Sequence, residues 1–373
     1  MKRSLQRRVW VEIDIGRLRA NYRRIAEAVM PAKVMCVLKA NAYGLGVEPY
    51  AAALAKSSCV GFGVAEPHEA LQLLLFGKPV QILSSVLPDE IGPMVEAGVT
   101  LPVIDVPTAR LIDRAASKIG CKAKVHFKID TGMGRLGILA ADAPRVIREV
   151  SAFGNLDCEG IFSHCPTAYD PADDFANDQI ALFKAILKDV AKDGITFRKV
   201  HIAASDAINN FPAARKPPFN IVRTGINLHG SFDPNGRRAL RLESVLTLKT
   251  RVAQVRLLPA GTTLGYGRTW CLSKPTRVAT ISAGYADGLP LALTNRGHVL
   301  IKGVPCPVIG RISMDYTTVD VSKVDRVNPG DEVIALGGTG KYAITPDDWA
   351  AFKGTHAYDI ICSFGNRVER RYC

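Results

Sequence analysis

Between Val34 and Arg223 the chain passes eight times from a short apolar segment into a connecting stretch, and this alternation constrains the fold more than any other feature. The apolar segments are Val34 to Leu38, Cys59 to Gly63, Val80 to Leu83, Leu101 to Ile104, Lys124 to Ile129, Asp157 to Phe162, Val200 to Ala203 and Asn220 to Arg223. Helical spacing fills most of the gaps, for example over Glu66 to Phe76, Val106 to Ala116 and Asp178 to Lys192. Eight strand-helix alternations predict a (β/α)8 barrel. A doubly wound sheet is the alternative, but the glycine-rich dinucleotide turn after its first strand is missing. Beyond Arg241 the texture changes to β-branched runs separated by Gly and Pro: Val245 to Leu257, Arg277 to Ser282, His298 to Ile301, Thr317 to Val321 and Glu332 to Leu336. The pattern predicts an all-β second domain over residues 241–373, after a barrel over residues 14–240.

Lys39 ends the first apolar run and opens the loop Ala40-Asn41-Ala42-Tyr43-Gly44-Leu45-Gly46. An ammonium at an apolar strand end is expected to lose hydration, which lowers its pKa and frees the lone pair to attack a carbonyl, as in Schiff-base formation. Position alone favours a lysine that snorkels into water. Lys128, His164, Ser205 and Arg223 also fall at or just beyond strand ends. Barrel active sites form at the carboxyl-terminal face, so these polar groups are expected to converge there.

The stretch VLKANAYGLG around Lys39 resembles the cofactor-lysine motif of alanine racemases, which bind pyridoxal 5′-phosphate on a TIM-type barrel. Further signatures follow in the family's order: KIDTGMGRLG around Lys128 and Arg135, GIFSH ending at His164, HIAAS ending at Ser205, and VRTGI around Arg223. The second half adds LGYGRTW around Tyr266, SAGYADG around Tyr285 and GRISMD ending at Asp315. Long motifs in fixed order from about Val9 to Arg370 outweigh any single match. The resemblance implies interconversion of L- and D-alanine for cell-wall precursors, and a strand within residues 1–13 that joins the second domain.

It also implies roles. Lys39 holds the cofactor, and Tyr43, Ser205 and the backbone amides of Gly225 and Ile226 bind its phosphate, since hydroxyls and free N–H groups match phosphate oxygens. Arg223 faces the pyridine nitrogen, where its permanent charge disfavours a second positive charge. His164 is expected to orient Arg223, and Arg135 to reach the cofactor's phenolate oxygen. Carbamylation of Lys128 would create an anion to hold Arg135. Lys39 and Tyr266 are the two bases, one on each face of Cα. In the family these meet across a subunit boundary, so a homodimer with shared sites is expected, with Tyr285, the Met314 amide and Asp315 from the partner. Asn366 stands where some alanine racemases have an active-site tyrosine, which makes it a candidate for relaxed selectivity toward serine.

Other readings fit less well. Related amino-acid decarboxylases carry a glycine-triplet phosphate loop and a Glu-Pro-Gly-Arg segment that are absent here. A non-catalytic pyridoxal-binding barrel would end before Arg241 and lack Tyr266. Broad-specificity racemases typically have an export signal and replace the lysine matching Lys128. The formal charge of +13 and the basic start, from Lys2 and Arg3 to Arg24, invite a nucleic-acid reading, but Glu12, Asp14 and aliphatic residues interrupt the basics and no recognition motif accompanies them. Glu12 and Asp14 also break any secretory apolar stretch, and no run approaches a bilayer span, which predicts a cytoplasmic protein without a membrane partner. The nine cysteines form no CxxC pair. They read as small buried hydrophobes in a reducing compartment, and metal binding has little support. Gly337 to Lys341 fails the P-loop pattern, because Ala335 replaces the opening glycine and Tyr342 the Ser or Thr, and reads as a hairpin turn.

Overall fold

The computed structural model describes residues 6–373, so Lys2 and Arg3 lie outside the described residues. The described chain divides into two compact units: residues 18–228 with 232–242, and residues 6–17 with 229–231 and 243–373. The first strand, β1 (Trp10–Ile13), belongs to the second of these.

The larger unit is built on β2 (Lys33–Val37), β3 (Gly61–Val64), β4 (Val80–Ile82), β5 (Leu101–Val103), β6 (Ala123–Asp130), a short β7 (Ile138–Leu139), β8 (Leu156–Phe162), β9 (Lys199–His201) and β10 (Ile221–Thr224). All pairings among them are parallel, in two arcs, β10-β2-β3-β4 and β5-β6-β8-β9, with β7 beside β6. Backbone bonds close both seams. Thr100 donates to Val80 at 2.9 Å and accepts from Ile82 at 3.0 Å, while Asn220 and Arg223 donate to Val200 and Ala203 at 3.0 Å each. The result is an eight-stranded barrel whose strands are nearly all buried on both faces, which is why they read as continuous apolar runs.

Helices α1 (Ile15–Ala28), α2 (Lys39–Tyr43), α3 (Val47–Ala55), α4 (Pro67–Leu74), α5 (Pro88–Glu96), α6 (Val106–Ile119), α7 (Ala143–Ser151), α8 (Phe175–Ala191) and α9 (Ser205–Asn210) fall between or after the strands. Local sequence sets their ends. In α6, Asp105 caps the start by accepting from Thr108 N at 2.7 Å, Pro107 lies in the first turn, and Gly120 ends the helix at φ 76°. Ala109, Ile112 and Ala116 give it one buried face. Replacing Asp105 with Ala should cost about 1 kcal/mol.

In the second unit, β1 lies between β11 (Leu246–Leu258), antiparallel, and β19 (Glu369–Tyr372), parallel. Between them in sequence come β12 (Thr263–Leu264), β13 (Trp270–Cys271), β14 (Thr276–Ile281), β15 (His298–Ile301), β16 (Val304–Pro307), β17 (Thr317–Asp320) and β18 (Glu332–Leu336). The long β11 shifts register at Leu248/Lys249 and again at Val252/Gln254, so it pairs with β18 and then with β14. The unit is strand-rich but not all-β. Helix α10 (Pro346–Lys353) begins at a Thr345 cap followed by proline, and α11 (Ala357–Cys362) follows it; burial of Trp349, Ala350, Ile360 and Ile361 holds both. The cysteine expectation also needs correction. Cys36, Cys59, Cys165 and Cys306 are buried, but Cys271, Cys362 and Cys373 are exposed, and none of the nine forms a disulfide. Gly337 and Ile344 exchange backbone bonds of 2.7 and 2.9 Å across the Gly-rich turn. Among the described residues no helix is long and apolar enough to cross a membrane.

Candidate active site

Lys39 stands two residues beyond β2, at the head of an unusual turn. Ala40, Asn41, Ala42 and Tyr43 all have left-handed backbones, with φ of 53, 55, 51 and 59°. Each such L-residue costs about 1–2 kcal/mol, so the surroundings must hold the turn. The Glu69 carboxylate accepts from Ala40 N, and its other oxygen accepts from Ala65 N at 2.9 Å. Asn41 Oδ1 accepts from Val47 N at 2.8 Å. The turn leaves Lys39 exposed and Tyr43 buried. The expected loss of hydration at Lys39 is therefore corrected: the residue is exposed.

Tyr43 reaches β10. A Cβ on Gly225 would lie 2.0 Å from the Tyr43 hydroxyl, so only glycine fits. Gly225 N donates to Ser205 Oγ at 3.1 Å, where α9 begins, and Ile226 opens a single 3-10 turn through His229. Tyr43, Ser205 and Gly225 thus come together with backbone N–H groups of a helical turn, a cradle suited to phosphate oxygens. Thr224 Oγ1, fully buried next to Gly225, has no hydrogen-bond partner.

Beside this cradle lies a cluster of cations. Burial and the charges of Arg135, Arg223 and Lys39 lower Lys128 to about 8 against the pull of Asp130. Burial and then Arg223, Arg135, Lys39 and Lys128 push His164 down to about 3, so its ring is neutral. Burial alone takes Arg223 to about 10. Lys128 Nζ donates to the Leu83 and Ser84 carbonyls at 2.7 and 3.2 Å. It also lies 5.7 Å from the Phe162 ring centre, and the Arg223 guanidinium 5.6 Å from the same ring. Arg135 is exposed on a loop that Asp130 Oδ1 shapes by accepting from Gly132, Met133 and Gly134 N at 2.9, 2.8 and 3.2 Å. Several cations facing one carboxylate make a site for an anion.

The orienting partner of Arg223 is not His164. Its Nη1 bonds His201 Nδ1 at 2.7 Å, and its Nη2 donates to the Ser163 and Ile202 carbonyls at 2.7 and 3.0 Å. His201 lies in β9, next to β10, whereas His164 sits two residues past the end of β8. Phe162 stacks on His201 with centroids 5.0 Å apart. His201 opens the HIAAS motif and Phe162 lies within GIFSH, so both had a sequence signal; Glu69 had none.

The remaining candidates lie in the strand-rich unit. Tyr266 is at the tip of the β12-β13 hairpin and 73% exposed. Gly265, at φ 68°, lets that tip turn, and a Cβ there would strike the Arg311 backbone at 2.9 Å. Tyr285 and Met314 are also exposed, at 42% and 52%, and Asp315 is exposed beside them. Their loops are bound together: Tyr285 N donates to Ser313 O at 3.0 Å and Ala286 N to Met314 O at 3.2 Å. Arg367, next to the exposed turn residue Asn366, completes the clamp. It donates to both oxygens of buried Asp287 at 2.7 and 2.9 Å, to Asp315 Oδ1 at 2.6 Å and to Met314 O at 3.2 Å. Neither Arg367 nor Asp287 was singled out from the sequence, although Arg367 neighbours Asn366.

Sequence models of the alanine racemase N-terminal and C-terminal domains match residues 13–233 and 245–372. The chain belongs to the alanine racemase family. It is 38% identical to "Alanine racemase 2" of Caldanaerobacter subterraneus, covering 97% of this chain and 94% of that one. It is 34% identical to the alanine racemase of Symbiobacterium thermophilum, over 98% and 97%. Among solved structures, alanine racemase from a D-cycloserine-producing Streptomyces lavendulae superposes with a TM-score of 0.91 at 31% identity, covering 99% of this chain and 98% of that one. Alanine racemase from Bartonella henselae, with covalently bound pyridoxal phosphate, gives 0.89 at 30% identity, over 99% and 100%. Membership of the alanine racemase family agrees with a barrel followed by a strand-rich domain.

Proposed function

We infer that the protein is a pyridoxal 5′-phosphate-dependent isomerase that interconverts L- and D-alanine. The observation that carries this reading is the acid-poor cation cluster beside the Tyr43-Ser205-Gly225 cradle, in a chain whose relatives are alanine racemases. The residues fit the cofactor. Tyr43, Ser205, Gly225 and Ile226 would hold its phosphate, Arg135 its phenolate oxygen, Arg223 and His164 its ring, and Lys39 its aldehyde carbon. When bound, pyridoxal phosphate draws electron density from the bonds at Cα of alanine, so that the α-proton can leave and return.

The protein's own work is to move that proton between faces. Lys39 serves one face as acceptor and donor at Cα, and Tyr266 the other. Arg223 would set its fixed positive charge beside the pyridine nitrogen and disfavour a second one on it, so that the ring withdraws less charge from Cα and side reactions are limited. Tyr285, the Met314 amide and Asp315 would receive the substrate carboxylate or shape the approach to it. A homodimer in which Tyr266 of one subunit completes the Lys39 site of the other accounts for the exposure of the whole second set. Carbamylated Lys128 would supply the anion that the cluster lacks. We place the enzyme in the cytoplasm, supplying D-alanine for peptidoglycan.

Relatives named for alanine alone do not favour the alternative of a racemase of broader specificity that includes serine. Asn366 is kept only as a candidate that tunes the fit of the alanine side chain. The deciding experiment is a chiral assay of L- and D-alanine with the purified protein, with and without added pyridoxal phosphate. Conversion in both directions that depends on the cofactor is expected. No conversion of alanine by cofactor-loaded protein would overturn the reading.

A further inference from the structure

A line of buried side chains crosses the barrel interior below Arg223. Arg223 Nη1 bonds His201 Nδ1 at 2.7 Å, His201 Nε2 bonds His126 Nδ1 at 3.0 Å, and His126 Nε2 bonds Glu159 Oε1 at 3.2 Å. His126 and His201 have no exposed surface, Arg223 has 4% and Glu159 has 5%. Two features of β8 make room for it. The β6-β8 pairing slips between Lys124/Asp157 and His126/Gly160, which inserts one extra residue on β8 near Glu159. Opposite His126 stands Gly160, where a Cβ would lie 2.5 Å from the imidazole.

The chemistry of the two ends permits one proton order. A guanidinium only donates, so His201 Nδ1 must accept and be bare. A neutral His201 then carries its proton on Nε2 and donates to His126 Nδ1. His126 in turn carries its proton on Nε2 and donates to Glu159, and a carboxylate only accepts. Every bond points the same way, away from Arg223. Burial, with the neighbouring charges of Arg223 and Lys199, lowers both imidazoles, at His126 against the opposing pull of Glu159, and so favours their neutral forms. Burial alone would raise Glu159, but the bonds from His126 and Lys199 outweigh it and hold the carboxyl at about 2. Lys199 Nζ donates to Glu159 Oε1 at 2.8 Å, and Thr100 Oγ1 lies 3.5 Å from the same oxygen.

We propose that Glu159 and His126 are positioning residues: they fix His201 in the tautomer that accepts from Arg223, and so hold the guanidinium in place at the end of β10. The inference rests on the reading of Arg223 as the group at the cofactor's pyridine nitrogen. Reversing His126 would set its Nδ1–H against the Nε2–H of His201, and reversing His201 would set N–H against the guanidinium and take from Arg223 its side-chain acceptor, leaving it carbonyls alone. Both are buried beneath Arg223. Both act through His201.

The test uses full-length protein labelled with 15N-histidine, with and without pyridoxal phosphate, and reads the ring nitrogens of His126 and His201. In the wild type both rings should be bare at Nδ1 and protonated at Nε2; a proton on Nδ1 of either ring would overturn the proposal without any variant. Glu159→Leu should abolish that single pattern and lower kcat roughly tenfold, with KM for alanine changed less than about twofold. Glu159→Gln keeps an acceptor and should restore the pattern and most of kcat. A leucine variant with wild-type nitrogen signals and turnover, or a glutamine variant as impaired as leucine, would sink the idea. Wild-type protein with the expected nitrogen pattern but no alanine turnover would refute the racemase reading and leave the proton order standing.

Discussion

Arg223, Ser205 and Tyr43 in the barrel are no more than 5% exposed, whereas Tyr266, Met314 and Tyr285 in the strand-rich unit are 73%, 52% and 42% exposed. The barrel groups also answer to one another: Arg223 is held by His201, Gly225 by Ser205, and the Lys39 turn by Glu69. The strand-rich set is tethered through its backbones and Arg367 but leaves Tyr266, Tyr285 and Met314 exposed. The difference teaches that, on the proposed reading, the phosphate cradle and Arg223 are prepared within the barrel, while Tyr266, the proposed second base, is left open to a partner. Arg223 is buried and bonded, whereas Lys39, Arg135 and Tyr266, which would meet groups arriving from water, are accessible.

The sharpest way to break this contrast is at Lys39. Lys39→Ala should lower turnover by more than about 10³-fold and abolish cofactor that borohydride fixes to the protein. Peptide mapping that finds the fixed cofactor on another lysine would remove Lys39 from its role.

A somewhat smaller loss is expected at Tyr266. Tyr266→Phe should slow exchange of the α-hydrogen of L-alanine by about 10²-fold or more, with a smaller effect on D-alanine, measured by NMR in deuterated buffer. Mixing this variant with Lys39→Ala tests the shared site directly. Random reassociation of homodimers should restore about a quarter of wild-type sites if each site takes one residue from each chain. No recovery after verified exchange of subunits would mean that each site is made within one chain.

A moderate effect should follow pH at Lys128. Its ammonium is destabilised by burial and by Arg135, Arg223 and Lys39, so the neutral amine gains as pH rises through about 8 rather than through the usual lysine value. Carbon dioxide adds only to the neutral form. Carbamate at Lys128, followed by NMR with 13C-bicarbonate, should therefore grow severalfold between about pH 7 and about pH 9. A carbamate level that is flat or falling over that span would contradict the electrostatic account.

The smallest effect belongs to the clamp in the strand-rich unit. Arg367→Met leaves Asp287, which is 1% exposed, without its charged partner, and should cost about 2 kcal/mol in urea unfolding. It should raise KM for alanine a few-fold while borohydride still fixes the cofactor to Lys39. Equal loss of cofactor attachment would show that the two regions are not the separate devices described above.

Much of this was legible in the chain. Eight apolar runs determined the barrel, because strands buried on both faces need no polar alternation, and β-branched runs broken by Gly and Pro determined the strand-rich unit. The motif order brought Tyr43, Ser205 and Gly225 to one place, and strand ends located Lys39 and Arg223. Two short helices after Thr345 were missed although their capping signal, Thr345-Pro346 with Asp348, is present in the sequence. Only the tertiary structure decided that Lys39 sits on a left-handed turn braced by Glu69, and that His201 rather than His164 holds Arg223. The reason is register. Sequence fixes how far a histidine lies from a strand end, but which side chain it meets depends on the pairing of Phe162 with His201 and on the slip in β8 near Glu159, and a shift of one residue turns a side chain to the other face of its sheet.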